Sequence, residues 1–97
     1  MYNPKTINSF ERRMREMGCL LLPKQFTRYG DILLAERSIM EGAEKYYETY
    51  WMLSRDGIDF GRCVRNSWAV PHTDRVAEAV EDAQSWIDAN VRNNRYE

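Results

Sequence analysis

Ninety-seven residues, 43% of them apolar and 30% charged, suffice for one domain with its own core, and they lie far from the low-hydrophobicity profile of disorder. The net charge of −1 excludes a strong global pull toward nucleic acid or an anionic membrane. Charge is nonetheless unevenly placed. Residues 1–28 hold six cations against two carboxylates, a balance of +4, and the remaining 69 hold eight against thirteen, a balance of −5.

In chain order the first expected element is a helix. Asn3 is a capping residue and Pro4 suits a first turn, where its missing N–H would be unpaired anyway. Ile7, Phe10, Met14 and Met17 follow at steps of three and four, one apolar stripe, and Gly18 stands where a helix turns left-handed to end. The apolar run Cys19–Leu22, closed by Pro23, predicts a short strand that resumes through Lys24 to Arg28. No longer apolar run lies near the N-terminus. Neither a signal peptide nor a membrane span is therefore expected, and a cytoplasmic protein is.

Gly30 and Asp31 offer a turn, and Ile32 to Ile39 reads as the next strand, with a loop over Glu41–Glu44. Tyr46 to Ser54 is rich in aromatic and β-favouring residues, and strand periodicity puts Tyr47, Thr49, Trp51 and Leu53 on one face. Asp56-Gly57 is the dipeptide of a two-residue hairpin, with Ile58 to Val64 returning. A helical stripe through Ile32, Ala35, Ile39, Ala43, Tyr46, Tyr50 and Leu53 competes with this reading, and Gly42 argues against it. A last helix, about Asp74 to Arg92, is expected with Thr73 as its cap and Val76, Val80, Ala83, Ile87 and Val91 as its apolar stripe. The predicted fold is therefore α+β: an antiparallel sheet of about four strands flanked by N-terminal and C-terminal helices. A two-layer sandwich is the simplest way to bury all the apolar faces. Phe10, Met14, Leu20, Trp51, Phe60, Val80, Ala83 and Ile87 are the expected core.

Chemistry-bearing patterns are sparse. His72 is the sole histidine, placed just before a helix N-terminus. Cys19 and Cys63 have no metal-site spacing with it, and both read as half-buried thiols. The five glycines form no phosphate-binding loop. Glu36, Glu41, Glu44 and Glu48 cluster in sequence and are expected to be solvated. No catalytic residue, metal, cofactor, membrane or small-molecule substrate is expected. Two charged surfaces remain. Asp74, Glu78, Glu81 and Asp88 line one side of the last helix, a docking ridge for a basic face on a larger protein or protein complex. Lys5, Arg12, Arg13, Arg15, Lys24 and Arg28 form the alternative, a nucleic-acid-binding surface on and after the first helix.

From Tyr47 to Val91 the chain combines an aromatic strand, Asp56-Gly57, a second strand with Phe60 and Gly61, and a helix ending in Ser85-Trp86-Ile87-Asp88. In this it resembles short phage and mobile-element accessory proteins, among them inhibitors of bacterial defence of the anti-CRISPR kind. The resemblance implies a non-enzymatic inhibitor that occupies a surface of a host complex, and it assigns no functional residue.

Overall fold

A computed structural model describes residues 4–54 and 62–90. Its element order is α1 (Pro4–Glu16), β1 (Leu20–Thr27), β2 (Gly30–Glu41), β3 (Glu44–Leu53), β4 (Arg62–Ser67) and α2 (His72–Asn90). The strands form one antiparallel meander in the order β1-β2-β3-β4. The helical alternative for residues 32–53 is thereby excluded, and this is the α+β fold the sequence implies. Asn3, the Asp56-Gly57 hairpin, Phe60 and Val91 lie outside the described residues.

The local rules hold at the joints. Gly18, at φ 81°, ends α1. Its N–H donates to the Arg15 carbonyl at 3.0 Å and that of Cys19 to the Met14 carbonyl at 2.8 Å, the paired bonds of a glycine-terminated helix. Gly42, at φ 62°, serves the tight β2–β3 turn. The first hairpin turns at Arg28-Tyr29, two residues before the expected Gly30-Asp31, because the Thr27 hydroxyl accepts the Tyr29 N–H at 3.0 Å and closes the turn itself. β1 runs through Pro23 by bulging between Leu22 and Gln25, which an edge strand permits.

The helices lie on opposite faces of the sheet, so the layers number three where the sequence suggests two. Ile32, Leu34, Trp51 and Leu53 pack with Ala79, Ala83 and Ile87 of α2. Leu33, Ala35 and Met52 pack with Ile7, Phe10 and Met14 of α1 and with Cys19. β2 is consequently buried without interruption from Ile32 to Glu36. Two expected core positions change. Leu20 is 70% exposed because β1 is an edge strand, and Val80 is half-buried because the buried line of α2 is Arg75, Ala79, Ala83 and Ile87. α2 also starts earlier than expected: Arg75 N–H donates to the Pro71 carbonyl at 3.0 Å, which makes Pro71 the residue before the first turn and puts Thr73 inside the helix.

Candidate interaction surfaces

Asp74, Glu78, Glu81 and Asp88 are all exposed. At 100° per residue they fall within one narrow arc, and at about 1.5 Å rise they span roughly 21 Å of helix. The arc points away from the sheet, opposite the buried line. The one arginine of α2, Arg75, does not offset this charge at the surface, because it turns inward. Its Nε donates to Glu36 Oε2 at 2.8 Å and its Nη2 to Glu36 Oε1 at 2.9 Å. Its Nη1 donates to the Val70 carbonyl at 2.6 Å, and the guanidinium stacks 3.7 Å from the Tyr47 ring centroid. The Thr49 hydroxyl completes the site with a 2.9 Å bond to Glu36 Oε2. Burial pushes the Glu36 carboxyl up, but the hydrogen bonds from Arg75 and Thr49 and the guanidinium charge outweigh it and leave the pKa below the usual carboxylate value. Farther along α2, Asp82 accepts the indole N–H of the buried Trp51 at 2.7 Å and pairs with Arg62 at 3.4 Å. Inward-facing polar groups thus set the rotation of α2 and turn its carboxylate ridge outward.

The basic candidates lie around the opposite side. Lys5, Arg12, Arg13 and Arg15 are exposed on α1, the last two in its final turn, where the helix dipole favours cations. Lys24 lines a crevice with Phe10 and Glu11 and so belongs to the same side. Arg28 sits at the β1–β2 turn, its guanidinium 5.2 Å from the Tyr29 ring centroid. The sheet thus carries a net-basic helix on one face and a net-acidic helix on the other.

Beyond the end of α1, on its side of the sheet, lies a cluster that sequence patterning misses. Arg37, Glu48 and Arg65 stand side by side across three strands. Glu48 is buried, against the expectation of a solvated carboxylate, and so is Glu36. Glu48 accepts from Arg37 Nε at 2.9 Å, from Arg65 Nη2 at 2.9 Å and from the Tyr50 hydroxyl at 2.8 Å. Arg37 also donates to the Met17 carbonyl at the C-terminal end of α1 at 3.2 Å. Burial raises the Glu48 carboxyl, and the three hydrogen bonds bring it net below its ordinary value. Burial, the hydrogen bond to Glu48 and its charge push the Tyr50 phenol up to about 12. No sequence signal announces this cluster, because strand register alone brings its members together.

At the far end of the β2–β3 hairpin Met40 and Trp68 are each 65% exposed. Beside them Arg65 stacks 4.5 Å from the Tyr46 ring centroid, and the Tyr46 hydroxyl donates to Glu41 at 2.8 Å. His72 opens α2, with Nδ1 3.4 Å from Glu36 Oε1, so it is an outer neighbour of the Glu36–Arg75 pair rather than a loop residue. Cys19 is buried and Cys63 exposed, where the sequence suggests two half-buried thiols; both are free, and burial pushes the Cys19 thiol's pKa up. Among the described residues no group of three or more His, Cys, Asp or Glu is placed to hold a metal ion, and no helix is long and apolar enough to cross a membrane. Compared with known families, curated proteins and solved structures, the chain matches none.

Proposed function

We propose that this chain is a non-enzymatic interaction module whose α2 ridge docks on a basic face of a larger protein. The observation that carries the reading is the outward line of Asp74, Glu78, Glu81 and Asp88 on a helix whose sole arginine is turned in to Glu36. Such a line steers a cationic partner and fixes its orientation. An inhibitor of the phage type, acting on a host defence complex that holds nucleic acid, is the role this surface would suit. The carboxylates would compete with phosphates for the same cations.

A second reading has one observation in its favour. Lys24 joins Arg12, Arg13 and Arg15 on the α1 side, which makes a basic surface of more than one element. Nucleic acid would bind there.

Affinity capture from host lysate, with and without nuclease, tests both readings. A partner protein retained after nuclease, and lost in the Glu78→Lys, Glu81→Lys double variant, supports the first. Capture that disappears with nuclease and depends on Arg12 and Arg15 replaces it with the second.

A further inference from the structure

Next to the ridge, one margin of the sheet is left open. α2 packs chiefly over β3 and β4. On its side of the sheet β1 presents Leu20, Leu22 and Gln25 beyond the helix. Leu20 is 70% exposed and Leu22 is half-buried. Between β1 and the start of α2 a slot of about 250 Å³ is lined by Leu22, Pro23, Gln25, His72, Thr73 and Val76. It is smaller than the roughly 300–1,000 Å³ of sites for drug-sized ligands, and its lining is mainly apolar, so it suits one or two apolar side chains.

Two features of this margin select the occupant. First, an added β-strand fits poorly, because Pro23 has no N–H to offer and the bulge between Leu22 and Gln25 breaks the edge. Second, the shoulder of α2 above the slot carries the uncharged Thr73, Val76, Ala77 and Val80, and roughly a quarter turn farther round stands the acidic ridge. Lys24, the nearest cation of β1, lines the crevice on the α1 side instead. An element lying in the slot therefore meets apolar surface below and carboxylates along one flank.

We propose that the slot seats an apolar side chain of a cationic amphipathic helix from another protein, with the cations of that helix held by the near side of the ridge at Glu81. The proposal rests on the reading of the ridge as a docking surface and adds the chemistry of what docks.

The probe is a synthetic amphipathic helical peptide of leucine and lysine, with a scrambled peptide of the same composition as control. Binding is followed by backbone amide shifts and by anisotropy at low and high salt. Shifts centred on Leu20, Leu22, Thr73 and Val76 are expected. Leu22→Asp should weaken binding by about tenfold or more, equivalent to about 1.4 kcal/mol. Leu20→Asp, at a site too exposed to disturb folding, should weaken it in the same direction. E78K/E81K should weaken it and flatten its salt dependence. The scrambled peptide should bind no better than the amphipathic peptide binds Leu22→Asp. Affinity that ignores both leucine variants, shifts centred on Met40 and Trp68, or dimerisation of the chain through the slot would each overturn the proposal. If capture of the partner from lysate needs Glu78 and Glu81 but survives both leucine variants, the ridge reading stands and the slot proposal falls.

Discussion

Arg75 holds both carboxylate oxygens of Glu36, 39 residues away, and through that fork α2 is tied to the middle of the sheet. Both side chains are 9% exposed. Removing one partner strands a buried charge, so Arg75→Met should cost about 3–5 kcal/mol of unfolding free energy. Glu36→Met with Arg75→Met should cost less than the single change, and chemical denaturation of the set measures the coupling. A single variant as stable as wild type would show that the pair does not hold α2.

The same carboxylates set the acid limb of stability. Glu36 and Glu48 have folded pKa values below their unfolded ones, so their contribution is fully present above the unfolded value of about 4.3 and is lost as pH falls through the lower folded values. Unfolding free energy should therefore fall steeply on acidification below about pH 4. Glu48→Gln should start lower at neutral pH and fall less steeply. An acid limb as steep as that of wild type would contradict this role for Glu48.

Tyr50 sets the alkaline limb. Its folded pKa of about 12 lies above the unfolded value of about 10, so its contribution is complete below about pH 10 and is lost as pH rises through about 12. A difference titration of wild type against Tyr50→Phe, read in the tyrosinate absorbance band, should show one step near pH 12. A step near the ordinary phenol value would mean that the hydroxyl is not bonded to Glu48.

Phe10 and Ile87 test the layering. They sit in separate clusters on opposite faces of the sheet. Truncating either to Ala leaves a cavity and should cost about 2–5 kcal/mol. Because they share no cavity, the double variant should equal the sum to within about 0.5 kcal/mol. Strong non-additivity in denaturant titrations would point to one shared core.

The two charged surfaces make opposite forecasts for the partner. Glu78→Lys with Glu81→Lys should impair binding of a basic protein more than Arg12→Glu with Arg15→Glu does. A nucleic-acid ligand would reverse the order, and each lost phosphate contact would flatten the salt dependence by about one unit of slope. Binding of both variants at two salt concentrations decides between them.

Local rules determined much of this protein from its sequence. The stripe Ile7, Phe10, Met14 and the glycine after it define α1 and its end, and period-two alternation puts Trp51 and Leu53 on one face. The acidic ridge was legible for the same reason, since a helix of known period fixes which carboxylates share its outer side. What only the tertiary structure decided depends on groups distant in the chain. Periodicity says that a helix has an apolar side but not which face of the sheet it covers, so the third layer and the exposure of Leu20 could not be read. Arg75 and Glu48 look like surface charges until strand register and helix placement bring Glu36, Arg37, Arg65 and Tyr50 to them. A charged side chain is buried only where partners satisfy it, and here those partners are supplied by other elements of the fold.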